Sequence, residues 1–248
     1  MAVNRHVRPD RKGAPVKAYG LLMKRGCAVE IHRKLGLRGE IALLAALVIN
    51  SFGVVLMLYS GSGISAITSV PYALADVWPA LSLGTWTYLF QGLLVLSLML
   101  LRRRFVVSYF LSFAVGFCFG ELLDLQELWI GVLPRTLPLR VLYFAVSYWV
   151  ICLGVSLSNH CKMPIVPTDL FPRELSAITG AAYARIKMSF DLSCLAITAL
   201  LTGAFLGHLD GLGIGTILAA LTMGKAIGWM NHVLDRRVTF TSALEKYA

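Results

Sequence analysis

The sequence predicts an all-α integral membrane protein with about six transmembrane helices, arranged as two inverted three-helix repeats with short re-entrant or interfacial helices. Three observations predict this class: an apolar composition, six long apolar stretches, and matching interruptions in the two halves of the chain. Of the 248 residues, 57% are hydrophobic and only 15% are charged, and the mean hydropathy is +0.72. Soluble domains are about half apolar and about one quarter charged. The excess of apolar residues is therefore expected to face lipid.

The first 40 residues are predicted to form a basic cytoplasmic tail that is disordered through Gly20. Ten of these residues are Lys or Arg, and no short apolar core follows an early basic tip, so a cleaved signal peptide is not predicted. Met23 is an alternative start to Met1. Residues 41–232 are predicted to form a single membrane domain, with repeat one at about 41–123 and repeat two at about 139–232. A short cytoplasmic tail, 233–248, follows.

Six stretches have close to the 20 apolar residues that a helix needs to cross a bilayer. They are Ile41–Tyr59, Gly84–Leu101, Phe105–Leu123, Leu139–Leu157, Ser189–Leu206 and Gly213–Met230. Helices are expected because lipid offers the backbone no hydrogen-bond partners, and the alternating pattern of a membrane barrel is missing. Two shorter segments, Ile64–Ala80 and Ile165–Ala184, are interrupted by proline and hydroxyl residues. Each is expected to be a re-entrant or interfacial helix.

The positions of the basic residues predict the orientation. With the N-terminus inside, 20 of the 23 Lys and Arg residues lie on the cytoplasmic side, and the outer side holds only Arg135 and Arg140. The net charge of +10 is therefore interpreted as a topology signal rather than as a sign of nucleic-acid binding. The expected location is the inner or plasma membrane, with both termini cytoplasmic. The lipid bilayer is the expected partner, and a homodimer is allowed.

Two shifts of the sequence bring its halves into register. A shift of 101 residues places Gly53 on Gly154, and it places Thr68 on Asp169, each three residues before a proline. A capping side chain followed by proline is typical of a helix start, so Thr68 and Asp169 are predicted to be N-caps. A shift of 108 matches Gly120 to Gly228. Three spans per copy would invert the second copy, as in many secondary transporters; the alternative is a pair of interfacial helices.

Three charged residues at membrane depth are candidate site residues. Lys187 and Asp191 are four residues apart and share a helix face, and Lys225 lies well inside the sixth span. Asp191 is the expected partner of Lys225, because a lysine in a membrane is costly without an anion, water or access to the interface. The pair either lines a path for a solute or proton, or fixes how spans five and six pack. Asn50 and Gln91 are expected to make interhelical hydrogen bonds.

The remaining candidates lie at helix ends. Thr216 stands in the glycine-rich start of span six, whose backbone N–H groups could hold an anion, although a tight turn would use the same residues. Arg173 and Arg185 are predicted to flank a cytoplasmic mouth. No catalytic motif is recognisable, so no enzyme activity is predicted, and a membrane enzyme ranks third among the alternatives. The five scattered cysteines have no metal-ligand spacing, and neither a metal nor a cofactor is predicted.

Three blocks resemble the YczE/YyaS/YitT-like family of bacterial multi-pass membrane proteins. They are Pro164-Ile-Val-Pro-Thr-Asp169-Leu-Phe-Pro-Arg173-Glu-Leu, Lys187-Met-Ser-Phe-Asp191-Leu-Ser-Cys194, and Gly213-Ile-Gly-Thr216 with Gly224-Lys225 and Gly228. The likeness covers roughly Ile41 to His232. It implies a membrane family whose biochemical function is largely unestablished.

Together these patterns favour a transporter-like permease for a small solute, with an anion as one option. The solute would lie between the short helices at Thr68 and Asp169, where Lys187, Asp191, Lys225 and Thr216 would set its surroundings. The alternative is a non-transporting membrane scaffold or regulatory subunit that binds a partner through its cytoplasmic basic regions.

Overall fold

A computed structural model describes residues 35–103, 107–161, 163–208 and 212–241. The predicted disorder through Gly20 lies outside these residues, as does most of the predicted basic tail. The described helices and strands, in chain order, are β1 (Leu35–Arg38), α1 (Gly39–Tyr59), α2 (Ala66–Val77), α3 (Leu83–Arg102), α4 (Val107–Ile130), α5 (Leu137–His160), α6 (Pro167–Thr179), α7 (Tyr183–Phe205), α8 (Ile214–Arg237) and β2 (Val238–Thr241).

Five of the described helices are long and apolar enough to cross a membrane: α1, α3, α4, α5 and α7. They correspond to the first five predicted spans, and within the described residues the regular structure is helical apart from the pairing of β1 with β2. The predicted sixth span is α8, which has 24 residues and a length of about 36 Å at 1.5 Å per residue. Its length suffices for a crossing, but it is less apolar than the other five helices and is not among the candidate spans.

The short helices α2 and α6 begin earlier than the sequence predicts. The N-caps are Ser65 and Val166, so the prediction that Thr68 and Asp169 are N-caps is wrong. Each is the third residue of its helix. In α6 the reason is Pro167, which occupies the first helical position, where a missing N–H costs nothing. With 12 and 13 residues, these helices are about 18–20 Å long and too short to span a bilayer.

The central helices α1 and α5 cross closely and run antiparallel. At the end of α1, the carbonyl oxygen of Ser60 accepts a 2.7 Å hydrogen bond from Nε of Arg140, near the start of α5. Further along, a Cβ on Gly53 would lie 2.8 Å from the side chain of Ile151, and a Cβ on Gly154 would overlap the amide of Asn50. Glycine at positions 53 and 154 therefore allows the two helices to approach.

The other helices surround this crossing. The short helix α2 packs mainly on α7, and the short helix α6 packs on α3 and α7. Helix α4 contacts α1 and α3, and α8 contacts α5 and α7. Strands β1 and β2 pair in parallel, with Leu35 opposite Val238. The start of α1 therefore lies beside the end of α8.

Candidate functional site

A buried ion pair on α7 forms the charged centre of the molecule. Nζ of Lys187 lies 2.6 Å from Oδ1 and 2.7 Å from Oδ2 of Asp191. The Lys187 side chain is 2% exposed and that of Asp191 is 1% exposed. Lys225, by contrast, is exposed on α8, so the prediction that it pairs with Asp191 is wrong. The four-residue spacing within α7 provides the nearer partner.

A small cavity of about 40 Å³ lies beside this ion pair. Its walls include Thr68 from α2, Asp169 from α6 and Lys187 from α7, so three of the predicted site residues lie together. The N-terminal turns of the two short helices, α2 and α6, form part of the cavity wall. Further polar side chains in its wall are Asn50 from α1, Thr87 from α3, Ser65 and Thr168. At this size the cavity accommodates a water molecule or two, or a small ion.

The carboxylate of Asp169 is buried in the cavity wall without a hydrogen-bond donor among the described residues. The residue is 6% exposed. Burial raises the pKa of its carboxyl to about 6, and the charge of Asp191 also raises it, whereas Lys187 and Arg173 lower it. An acidic group that lies in a cavity without a donor is poised to take up a proton or another cation.

Two buried amide side chains do not make the hydrogen bonds expected between helices. Oδ1 of Asn50 has no partner among the described residues, and neither do Nε2 and Oε1 of Gln91. Both side chains are at least 96% buried. Buried polar atoms without partners are uncommon in folded proteins and are often satisfied by water or an ion. Polar type within an apolar run was the only sequence signal for these two residues.

Thr216 serves the packing of α8 rather than the small cavity. Its side chain is fully buried, and Oγ1 accepts a 2.9 Å hydrogen bond from the backbone N–H of Ile64, in the segment that precedes α2. The backbone N–H of Gly215 also donates to the carbonyl of Ser62 at 3.1 Å. These bonds fix the N-terminus of α8 to the α1–α2 connection, and Thr216 is absent from the cavity wall.

The two predicted mouth residues lie on neighbouring elements but differ in burial. Arg173 is half-buried on α6, one helical turn beyond Asp169, whereas Arg185 is exposed near the start of α7. Arg173 is close enough to Asp169 to influence the charge of its carboxyl.

A larger cavity of about 650 Å³ lies at the end of the molecule where α1 and α4 terminate. Tyr59 and Tyr72 line it, together with Glu127 and Arg135. Arg135 donates to the carbonyl of Tyr59 at 3.2 Å, and its guanidinium lies 4.3 Å from the centre of the Tyr59 ring. This volume is within the range of pockets that bind small molecules. It was not predicted, because the lining comes from loops and helix ends far apart in sequence.

The opposite end of the molecule is held together by polar contacts. Arg102 at the end of α3 lies 2.5 Å from a carboxylate oxygen of Glu174 on α6. The hydroxyl of Tyr109 at the start of α4 donates to the same oxygen at 2.7 Å. Nε2 of His160, the last residue of α5, lies 2.9 Å from Asp235 on α8. These contacts join five helices where α3 and α5 end.

Comparison with protein families finds a match over most of the chain. The model of DUF6198, described as a family of unknown function, matches residues 37–232. No curated protein and no solved structure matches. The expectation of a multi-pass family without an established function is confirmed at this level, and the resemblance to the YczE/YyaS/YitT-like family stays a prediction.

Proposed function

The chain belongs to DUF6198, a family of unknown function, and from this premise we propose that it is a transporter-like permease for a small solute. Six helices cross the membrane in two inverted repeats, α1–α4 and α5–α8. The solute enters through the larger cavity and passes the small cavity between α2 and α6. The observation that carries the proposal is that one end of the molecule holds an open cavity, whereas the equivalent residues at the other end are in contact.

The order of the helices supports the repeats. Each half has a long helix, a short helix and two long helices. The first residues of α2 and α6, Ala66 and Pro167, are 101 positions apart, and so are the last residues of α1 and α5, Tyr59 and His160. This is the shift that also aligns the sequences. Helices α4 and α8 each have 24 residues and begin 107 positions apart, within the uncertainty of helix boundaries.

The crossing of α1 and α5 supports the inversion of one repeat relative to the other. Gly53 faces residue 151, and Gly154 faces residue 50. The shift of 101 converts one contact into the other. Because the two equivalent helices run antiparallel at this crossing, a twofold axis that relates the repeats would lie across the helices, in the plane of the membrane.

The remaining helix contacts follow the same relation. The short helix α2 packs on α7 of the other repeat, and the short helix α6 packs on α3. Likewise α1 contacts α4 as α5 contacts α8, and α3 contacts α4 as α7 contacts α8. Exchanging the repeats therefore reproduces the packing.

Two observations support α8 as the sixth crossing. The pairing of β1 with β2 places the start of α1 beside the end of α8, and an even number of crossings returns the chain to its starting side. Several polar side chains of α8 bond to other helices: Asn231 accepts from Ser156 at 2.6 Å, and Thr222 bonds to Tyr148 at 2.9 Å. Such bonds reduce the cost of polar residues within the membrane.

The basic residues support a cytoplasmic location for both termini. In a six-span arrangement, Arg135 and Arg140 lie at the outer end, whereas Arg102, Arg103, Arg236 and Arg237 lie at the other end. This distribution follows the positive-inside rule. It favours the inner or plasma membrane as the location of the protein.

The asymmetry between the two ends supports transport by alternating access. Tyr59 and Glu127 line the open outer cavity. The shift of 101 takes Tyr59 to His160, and the shift of 108 takes Glu127 to Asp235. At the cytoplasmic end these equivalent residues lie 2.9 Å apart. One end is therefore open where its counterpart is closed, and exchanging the conformations of the repeats would produce the opposite state.

The solute can be identified by a thermal-shift screen of the purified full-length protein against small metabolites, because a bound ligand stabilises the folded state. A compound that raises the unfolding temperature is then tested for flux in proteoliposomes. An oxidised cysteine pair replacing His160 and Asp235 is expected to hold the cytoplasmic end closed and abolish flux, and reduction is expected to restore it. Full flux with the crosslink intact would contradict the proposal.

A comparison of a buried with an exposed lysine tests the placement of the site, with flux normalised to the amount of folded protein in the proteoliposomes. Lys187→Ala is expected to abolish flux, whereas Lys225→Ala, which removes an exposed lysine of the same charge, retains it. Equal flux in the two variants would contradict the placement of the site beside α7.

A further inference from the structure

The small cavity is lined by side-chain oxygen atoms, and two of the residues that supply them accept no hydrogen bond from any described residue. Asp169 contributes a carboxylate, Thr68 a hydroxyl and Asn50 an amide oxygen. These three residues are between 4% and 6% exposed, and no described residue donates a hydrogen bond to the side-chain oxygens of Asp169 or Asn50. Buried acceptors without donors are costly, and a cation or a proton satisfies them.

Of the charged residues that line the cavity, Asp169 is the one whose side chain has no ion-pair partner among the described residues. Lys187 places its ammonium between the two oxygens of Asp191, so this pair is already neutral. The other charged or titratable groups near Asp169 are Tyr183 on α7 and Arg173 on α6, while α3 and α4 add only uncharged side chains to the wall. The N-terminal turns of α2 and α6 favour the ionised carboxylate, which keeps an anionic ligand available to a cation.

The size of the cavity restricts what can bind. A space of about 40 Å³ exceeds the roughly 10–15 Å³ that one water molecule requires and is far below the roughly 300 Å³ of a small-molecule pocket. It therefore suits a monovalent ion with one water, or a proton on the carboxylate. A single carboxylate with neutral oxygen ligands also matches the charge of a monovalent cation better than that of a divalent one.

We propose that Asp169, Thr68 and Asn50 form a binding site for one monovalent cation, supplied as a sodium ion or as a proton, at the meeting point of α2 and α6. The site supplies the coupling ion of the proposed permease. Its coupling role rests on the proposed function, whereas ion binding itself is measured without transport. Binding places a cation in direct contact with the Asp169 carboxylate and occupies acceptors drawn from both halves of the chain.

The test uses the purified full-length protein in detergent, with sodium chloride exchanged for N-methyl-D-glucamine chloride at constant ionic strength. At about pH 8, a sodium concentration about five times the dissociation constant is expected to raise the unfolding temperature by about 2–4 °C. If the proton is the natural ligand, sodium has no effect, and the temperature rises as the pH is lowered toward about 5.5. Both effects are expected to vanish in Asp169→Asn.

Matched variants complete the design. Thr68→Val keeps the side-chain shape but removes one ligand oxygen, so it is expected to weaken sodium binding at least severalfold. Glu121→Gln, which neutralises an exposed carboxylate of α4, is expected to behave as the wild type. The proposal is overturned if the wild type responds to neither sodium nor acid, or if Asp169→Asn keeps the full response. Ion binding without flux would contradict the permease and leave the ion site standing.

Discussion

Removal of one partner of the Lys187–Asp191 pair is expected to destabilise the protein strongly. Lys187→Met leaves Asp191 buried at 1% exposure with Asp169 nearby and no ammonium between its oxygens. Breaking a buried ion pair in this way costs about 3–5 kcal/mol, or on the order of 10²- to 10⁴-fold in the folding equilibrium constant. The double variant Lys187→Met/Asp191→Leu removes both charges. It is expected to lose far less than the sum of the two single losses.

The measurement is a double-mutant cycle in mixed detergent micelles, with the unfolding free energy of each variant as the readout. A coupling energy above about 2 kcal/mol is expected for this pair, because the ammonium contacts both carboxylate oxygens and the pair is buried from water. The pair of Arg38 and Glu40, 3.6 Å apart with side chains 72% and 32% exposed, is the more solvated control and should couple by less than about 1 kcal/mol. Additive losses at Lys187 and Asp191 would refute the reasoning.

Three further predictions concern packing, exposure and pH. Gly154→Val forces a side chain against Asn50 and should lower the free energy of unfolding by about 1–3 kcal/mol. Gly131→Ala, with open space around it, should lower it by less than about 1 kcal/mol. Equal losses of unfolding free energy in the two variants would contradict the packing. Lys225→Ala should change the unfolding free energy by less than about 0.5 kcal/mol, and a larger loss would show that this lysine is engaged. Because burial raises the pKa of Asp169 to about 6, the folded state binds this proton more tightly than the unfolded state, and stability should fall as the pH rises from about 4 to about 6. Asp169→Asn should flatten that dependence, and an unchanged pH profile would contradict it.

The sequence alone predicted the long helices well because apolar length is a local property. The first five predicted spans each lie on a helix of the structure, and the proline-interrupted segments became α2 and α6. The starts of the short helices were misplaced because Thr68 and Asp169 each precede a proline by three residues, as N-caps often do. The N-caps instead lie three residues earlier, at Ser65 and Val166, and Pro71 and Pro172 are tolerated inside the helices.

The candidate site was predicted in part. Spacing alone identified Lys187 and Asp191 as neighbours on one helix face, and polar type identified Thr68 and Asp169. The rotation of α8 about its axis depends on tertiary packing, so the sequence did not reveal that Lys225 faces outward. Oδ1 of Asn50 and the amide atoms of Gln91 have no hydrogen-bond partner among the described residues. This depends on contacts between residues far apart in sequence, which a single sequence does not show.

The number and direction of the crossings can be measured most directly at the two ends of α8. Single cysteines are introduced at Ile214, which is 89% exposed, and at Arg236, with the native cysteines replaced by alanine or serine. Six crossings in inverted repeats predict that an impermeant maleimide labels Cys at 214 in intact cells, whereas Cys at 236 reacts only after permeabilisation. Labelling of both positions from the same side would contradict the six-span arrangement and the inverted repeats.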